Sequence, residues 1–294
     1  MPRVLALLIL LLAVCPAAAQ DMPLSQILLP GEIWQLVPGD LPMVGDLASG
    51  LNGDVYVVHH EGKQIDRIDR DGRAHPFARP SAAVMGMAFA SDGRLYACQP
   101  LKNRIVALDA KGQESILVED LPAHYLAVTR SGSIYATVPS ANAIYRVGKD
   151  GKKHCVERSM PTALGATLWG DQGTLVVGDM EGLHLTAFRI DKDCGLSARE
   201  QYYTLRRRAG EDSSVPAMTV DSADRLYAAT REGVQVFDPT GRLSGVLLRP
   251  ERQPIRAVAF GGADLDRLYI ACGNKLYVRK IKAKGVAVAK AKAQ

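Results

Sequence analysis

Six polar side chains stand where short apolar runs of the sequence begin or end, and they are the candidates for chemistry. They are Asp46, His59, Gln99, His124, Tyr125 and Asp179. Two imidazoles and a carboxylate can bind a transition metal and leave coordination positions open. A carboxylate can also work as an acid or base without a metal, and Asp46 and Asp179 are the candidates for that role. The alternative is that all six are ordinary polar residues at a rim.

The cysteines offer a second kind of chemistry. Cys98 and Cys272 occupy matching places in apolar runs, which predicts buried small hydrophobes. Cys155 and Cys194 lie near the outer strands of consecutive repeats, so a disulfide between them is possible in an oxidising compartment, and two free thiols are the alternative. The sequence contains no CxxC pair, no Cys/His zinc spacing and no GxSxG nucleophile turn.

These residues belong to a repeated sequence motif. It consists of two short apolar runs joined by a turn with Gly or Asp, and the second run carries a Tyr or, in one repeat, a Val. The motif recurs about every 40 residues, a length typical of propellers with one four-stranded blade per repeat. Its markers are Tyr56, Tyr96, Tyr135, Val176, Tyr227 and Tyr269. Turns such as Asp-Gly and Ser-Gly supply the positive φ of a tight hairpin.

A third run and a more variable fourth run complete each repeat except the last, which continues from Lys280 into a Lys/Ala-rich end. A spare strand at residues 31–37 has no repeat of its own. If it supplies the missing outer strand, the ring closes and its free edges disappear. We therefore predict an all-β, six-bladed propeller closed by the N-terminal strand. Five blades plus an irregular insert is the alternative. The longest interval, at residues 196–215, is expected to hold a fourth strand and a loop over one face of the ring.

The two ends of the chain differ from the repeats. Arg3, the apolar run of residues 4–14 and the three alanines before Gln20 form a secretory signal, too short for a membrane span. We predict a signal peptide at residues 1–19, a propeller at 20–281, a basic disordered tail at 282–294, and an exported (periplasmic or secreted) protein. Lipidation at Cys15 is the alternative reading of the signal.

Composition agrees with one large domain. The chain has 294 residues, of which 47% are hydrophobic, enough to bury one sizeable core. The net charge of +5 owes much to the basic end after residue 278 and says little about the propeller. Because no aromatic stacking platform accompanies those lysines, nucleic-acid binding is not expected.

The last third of the chain resembles a known family. DRLYAAT, GVQVFDPTG and AFGG followed by LY, all within residues 218–285, are similar to the end of the gluconolactonase family, which includes senescence marker protein and luciferin-regenerating enzyme. The likeness extends to GRLYACQ at residues 93–99 and GEIW at 31–34. It implies a six-bladed propeller and, in active members, a divalent metal in the central channel that polarises a lactone carbonyl or activates water.

This chain departs from the family at the metal-binding positions. The resemblance aligns the family's ligand positions with Val44, His124, Leu164 and Pro216, and the matching position of blade two with Met85. The glycines beside three of these positions remain, at Gly45, Gly86 and Gly165. Val, Leu and Pro have no side-chain oxygen, whereas Ca²⁺ or Mg²⁺ needs about six oxygen ligands. The expectation is therefore that no metal or other cofactor is bound.

The sequence leaves three functions open. The expected one is a non-hydrolytic propeller that binds a small molecule or a protein at one face of its ring. The first alternative is a Ca- or Zn-dependent lactonase, implied by the resemblance. The second is metal-free chemistry like that of strictosidine-synthase-type propellers, with Asp46 or Asp179 as the catalytic carboxylate.

Overall fold

The alternating runs of this sequence form short strands joined by turns. The computed structural model describes residues 23–39, 41, 44–59, 63–160, 162–180, 183–208 and 214–288. The strands there are β1 (Gln35–Leu36), β2 (Val44–Ser49), β3 (Val55–His59), β4 (Ile65–Ile68), β5 (Ala74–Ala78), β6 (Met87–Phe89), β7 (Leu95–Gln99), β8 (Arg104–Leu108), β9 (Glu114–Val118), β10 (Tyr125–Val128), β11 (Ile134–Val138), β12 (Ala143–Val147), β13 (Lys153–Glu157), β14 (Ala163–Leu168), β15 (Thr174–Asp179), β16 (His184–Ile190), β17 (Leu196–Thr204), β18 (Met218–Val220), β19 (Leu226–Ala229), β20 (Gly233–Phe237), β21 (Leu243–Leu248), β22 (Ile255–Gly261), β23 (Arg267–Cys272) and β24 (Lys275–Lys280). Single turns of 3₁₀-helix lie at Leu24–Gln26, Pro100–Lys102 and Pro139–Ala141.

In the described residues these strands form six four-stranded antiparallel sheets, the blades of a propeller. Blades one to five are β2–β5, β6–β9, β10–β13, β14–β17 and β18–β21, and blade six is β22–β24 with β1 as its outer strand. The predicted all-β, six-bladed fold is confirmed, and the five-bladed alternative is wrong. The long interval before Tyr227 holds β17, the fourth strand of blade four, and the loop that follows it.

The turns between third and fourth strands show why the sequence folds locally as it does. The Asp69 carboxylate accepts hydrogen bonds from the N–H groups of Asp71 and Arg73, at 3.0 and 2.9 Å. Gly72 supplies the positive φ, 84°, that closes this turn. Asp109 and Asp238 accept equivalent bonds in blades two and five. An Asp followed by Gly three residues later is therefore the local signal for each of these turns.

The core lies between the blades. Each of the six interfaces between neighbouring blades contains one cluster of buried apolar side chains. The marker tyrosines belong to these clusters: Tyr227 packs edge-on against Phe260 at 5.1 Å between blades five and six. Such aromatic pairs favour this geometry and add to the stability gained from apolar burial. Both faces of every blade are thus buried against a neighbour.

The ring is closed by the N-terminal segment. β1 pairs with β24 in antiparallel register, Gln35 opposite Val278 and Leu36 opposite Tyr277. Directly after it, the Val37 N–H donates to the Leu276 carbonyl at 2.9 Å. The predicted closure by residues 31–37 is therefore confirmed, although the paired strand is only two residues long.

Six inner strands, β2, β6, β10, β14, β18 and β22, line a central channel and all begin at the same end. We call that end the upper mouth; it carries Asp46, His124, Tyr125 and Arg256. The opposite end, where these strands finish, is the lower mouth. Each inner strand is paired on one side only, so its other edge faces the channel.

Residues 281–288, which we call the C-terminal strap, are bound to the propeller. Their backbone makes four hydrogen bonds to it: Ile281 N–H to Asp266 O, Lys282 N–H to Ile27 O, Ser222 N–H to Lys284 O and Gly285 N–H to Leu265 O. Ile281 and Ala283 are buried. The predicted disordered tail from residue 282 is thus corrected for residues 282–288, because alternate strap residues pack inward while the lysines between them stay exposed.

Some expectations about the chain ends fall outside this description. The predicted signal peptide at residues 1–19 and residues 289–294 of the predicted tail lie outside the described residues. No helix in the described ranges is both long enough and apolar enough to cross a membrane.

Ring closure gives a first prediction. Val37 is 3% exposed and packs in the cluster between blades six and one, whereas neighbouring Leu36 is 55% exposed. Val37→Ala should lower the free energy of unfolding by about 2 kcal/mol, because it removes two buried methyl groups and leaves a cavity. Leu36→Ala is the control and should change it by less than about 0.5 kcal/mol. If urea unfolding showed equal losses of unfolding free energy for the two variants, β1 would not hold the ring closed.

Candidate functional site

Asp46 provides the central carboxylate of the upper mouth. It lies on the inner strand of blade one, and its Oδ2 accepts the N–H of Met87 from the inner strand of blade two at 3.1 Å. Burial raises the pKa of the Asp46 carboxyl to about 7, although hydrogen bonds from the Leu47 and Met87 N–H groups oppose the rise. Protein atoms surround the carboxyl, but the residue keeps some solvent contact through the channel. At neutral pH the group can therefore give or take a proton.

Tyr125 lies near this carboxylate, and His124 precedes Tyr125 in the chain. Burial raises the pKa of Tyr125 far above its ordinary value, and the nearby charge of Asp46 adds to the rise. Burial also lowers the pKa of the His124 imidazole. At pH 7 the site therefore holds a neutral phenol and a neutral imidazole together with a carboxyl group that is close to half ionised.

Gly86 allows the inner strands of blades two and three to come this close to each other. Its N–H donates to the His124 carbonyl at 2.8 Å, and a Cβ at residue 86 would lie 2.6 Å from the Tyr125 Cα. Gly165 is equally close to the next inner strand, with the Pro216 carbonyl 2.5 Å from the position of its missing Cβ. The glycines that the resemblance aligned beside lost ligands thus have a structural role: neighbouring inner strands touch backbone to backbone there.

Arg256 is a site residue that the sequence analysis did not find. Its positive charge is close enough to Tyr125 to oppose the rise of that residue's pKa. It precedes the inner-strand motif of blade six by the same number of residues as His124 does in blade three. Extending the repeat alignment into blade six would therefore have identified it.

His59 and Gln99 do not belong to the channel. His59 Nε2 and Asp66 Oδ2 are 2.9 Å apart, in a buried pair between the second and third strands of blade one. Gln99 is fully buried; its amide donates to Glu114 Oε2 at 3.0 Å, and its carbonyl oxygen accepts Arg104 Nε at 2.7 Å. The prediction that both point to the channel mouth is corrected, because their side chains bond outward to the third and fourth strands.

Asp179 ends β15, with its backbone opposite Ala163; its side chain lies outside the described part of the structure. The cysteines carry no bridge among the described residues: Cys98, Cys155, Cys194 and Cys272 are all free. The suggested Cys155–Cys194 disulfide is therefore not formed in this structure. Cys155 Sγ contacts its own strand at Glu157 O, and the Ser133 hydroxyl donates to Cys194 Sγ from blade three.

The residues at the aligned metal positions are poor ligands for a hard cation. Val44 and Leu164 are buried apolar side chains, and Pro216 offers no side-chain donor. Asp46 and His124 remain nearby, and the described residues contain no cluster of three or more His, Cys, Asp or Glu side chains placed to hold a metal. A Ca²⁺ or Mg²⁺ ion takes six or more oxygens, so the expectation that no metal is bound stays a prediction that rests on the chemistry of these side chains.

A closed ring of six four-stranded blades around a polar axial mouth defines a six-bladed β-propeller with a ligand-sized channel. Residues 52–274 match the family described as SMP-30/Gluconolactonase/LRE-like region. The chain belongs to this family, and the resemblance stated from the sequence is confirmed.

Two relatives and one solved structure named as lactonases are also similar to this chain. The chain is similar to pentonolactonase XacC of Haloferax volcanii, with 28% identity over 226 residues that cover 74% of this chain and 76% of the relative. It is 21% identical to the gluconolactonase of Zymomonas mobilis subsp. mobilis over 221 residues, 66% of this chain and 62% of that one. The solved gluconolactonase XC5397 of Xanthomonas campestris shares the fold, with a TM-score of 0.73, 20% identity, and coverage of 86% of this chain and 91% of that chain.

Asp46 gives a prediction for pH dependence. Its pKa rises from 3.8 in the unfolded chain to about 7 in the folded protein, so the folded state binds more protons between these values. The contribution of Asp46 to stability should therefore fall as pH rises from about 4 to 7. Asp46→Asn should remove this component, so that the variant gains stability relative to the parent at pH 8 and differs least near pH 4. Urea unfolding of both proteins across this pH range measures their free energies of unfolding. Parallel curves of this free energy against pH would contradict the prediction.

Proposed function

We propose that this protein binds a small polar molecule at the upper mouth of its channel and does not carry out the metal-dependent hydrolysis implied by the family resemblance. One observation carries the proposal: Asp46 is held inside the channel by the Met87 N–H, with a pKa of about 7, at the point where the inner strands of blades one, two and three meet. Convergent polar groups and a perturbed pKa are usual marks of small-molecule sites.

The chemistry of the neighbours supports a ligand rich in oxygen. Neutral Tyr125 can donate or accept a hydrogen bond, and neutral His124 offers one donor and one acceptor nitrogen. Asp46 accepts when ionised and donates when protonated. Arg256 adds positive charge to the same mouth. Hydroxyl, carbonyl and carboxylate oxygens are the groups that such a set recognises.

The absence of a metal role is part of the proposal and rests on side-chain chemistry. Val44, Leu164 and Pro216 stand at the aligned ligand positions and cannot donate oxygen from their side chains. Asp46 alone cannot supply the several carboxylate and amide oxygens that a hard cation takes. Binding through Asp46 therefore has to work by direct hydrogen bonds.

Metal-free hydrolysis of a lactone is the second candidate, favoured by the same carboxylate. A general base works best with a pKa near the working pH, and burial brings Asp46 there. In such a reaction Asp46 takes a proton from water, the hydroxide adds to the lactone carbonyl, and the ring C–O bond breaks as its oxygen regains a proton. The relatives named as pentonolactonase and gluconolactonase make lactones the substrates to try.

We further propose that the protein is exported after removal of residues 1–19. The support is the sequence pattern alone: Arg3, an apolar run too short for a span, and small residues before Gln20.

One experiment separates the two functions. Purified protein is mixed with pentono- and hexonolactones and their aldonates, with chelator or with Ca²⁺, Zn²⁺ or Mn²⁺, while heat of binding and acid release are followed. We expect binding in chelator, no acceleration of lactone opening, and about tenfold weaker binding by Asp46→Asn, because one charge-assisted hydrogen bond is lost. Asp193→Asn, an exposed carboxylate in the blade-four turn, is the matched control.

The other outcomes are equally informative. Turnover that survives chelation, disappears in Asp46→Asn and rises with pH through about 7 would establish the second candidate. Turnover that needs an added metal and persists in Asp46→Asn would overturn both.

Export has its own test. When the full chain is expressed in a secretion-competent bacterial host, intact mass should show an exported protein that begins at Gln20, because small side chains precede it. A protein that keeps residues 1–19 in the soluble cell fraction would contradict export, and a lipid-modified Cys15 would contradict cleavage after residue 19.

A further inference from the structure

The C-terminal strap crosses the lower mouth of the channel. Val286 packs on the cluster between blades four and five, beside Met218 and Trp169. Val288 packs on the cluster between blades one and two, beside Ala48 and Phe89. In a ring of six blades these two interfaces lie on opposite sides of the axis. Residues 286–288 therefore span the channel along a diameter.

Hydrogen bonds and apolar contacts hold the C-terminal strap against the propeller. The hydrogen bonds of Lys282, Lys284 and Gly285 to blade edges and loops fix the segment that leads into the crossing. Gly285 lies directly on Phe260: a Cβ at this residue would collide with the Phe260 Cβ. Two valines then anchor the far end in apolar contacts on both sides of the axis.

Above the strap lies a chamber of about 200 Å³, lined by all six inner strands and by residues 286–288. Thr167 and Thr219 belong to its lining, as do Ser49 and Thr129, whose hydroxyl groups already have partners: Ser49 Oγ donates to the Phe260 carbonyl at 2.7 Å, and Thr129 Oγ1 bonds within its own turn. The unpaired edges of the inner strands add backbone N–H and C=O groups, which need partners in a channel. Its described lining contains no carboxylate, lysine or imidazole; Arg130 is the charged residue, and its guanidinium donates to the Gly170 carbonyl at 3.0 Å.

We propose that this chamber is a second binding site, for a small uncharged polyol, with residues 286–288 as its floor. Backbone N–H and C=O groups and the hydroxyls of the lining match a polyol, whose hydroxyl groups both donate and accept, and the charged Arg130 already donates to the Gly170 carbonyl. The volume is below the roughly 300–1,000 Å³ of drug-sized pockets. A small polyol such as xylitol is therefore the probe for this site. The site lies below Asp46 and goes beyond the binding proposed for the upper mouth.

The test uses the full chain with labelled Met, Ile, Leu and Val methyl groups. Xylitol should shift the NMR signals of Val286, Val288 and Met218 with single-site saturation, because these side chains line the chamber. The exposed methyl groups of Ile33 and Leu101 are the internal control and should stay unchanged. Linear, non-saturating shifts of equal size at all these methyl groups would show a chamber that holds only water, and would overturn the proposal.

Two variants assign the site to the chamber. Val288→Trp fills it and should weaken xylitol binding by about tenfold or more, and Val288→Leu is a milder substitution if the Trp variant does not fold. Lys284→Trp, on the exposed side of the strap, is the matched control and should bind like the parent.

Asp46→Asn separates this proposal from the first. Xylitol binding that is lost in Asp46→Asn but unchanged in the Val288 variants would place the ligand at the upper mouth, which overturns the chamber and leaves the proposed function standing. Xylitol binding that is lost only in the Val288 variants supports the chamber as the binding site. This holds whether or not the lactone titrations support the proposed function.

Discussion

Closure of the ring is the constraint on which the rest of the structure depends. Each blade buries its two faces against its neighbours, so no blade has a complete core without the next. The circle closes where the two-residue strand β1 joins β24, and the Val37 side chain fills the interface between blades six and one. An open ring would expose two apolar blade faces and an unpaired strand edge. The channel and both of its mouths exist only because the ring closes.

The upper mouth combines close contacts between inner strands with side chains that differ from those the family resemblance implies. Gly86 and Gly165 remain because a side chain there would collide with the backbone of the next inner strand. The side chains beside them have no comparable constraint, and Met85, Leu164 and Pro216 occupy positions that the resemblance aligns with ligands. In their place Asp46 from blade one accepts a backbone N–H of blade two. Burial then gives this single carboxylate a pKa suited to proton exchange at neutral pH.

The lower mouth is built differently, because the C-terminal strap crosses it. There the chain itself crosses the axis, with Val286 and Val288 on opposite blade interfaces. A channel that the chain crosses at one end and that carries Asp46 at the other offers different chemistry to a ligand at its two ends. Segments on both sides of the repeats thus contribute to the propeller: residues before β2 close the ring, and residues after β24 cross the channel.

The sequence by itself determined the fold, because its signals are local and repeated. The turn with Gly, the apolar alternation and the marker Tyr each specify a strand or hairpin within about ten residues, and six repetitions leave one architecture. The unpaired run at residues 31–37 even predicted the closure. Only the tertiary structure decided which polar residues face the channel: Asp46 and Tyr125 come together from different blades, whereas His59 and Gln99 bond outward to Asp66 and Glu114. It also showed that residues 282–288, read from their lysines as a disordered tail, bury alternate side chains against distant blades. Contacts between residues far apart in the chain decide such placements, and a local pattern carries no information about them.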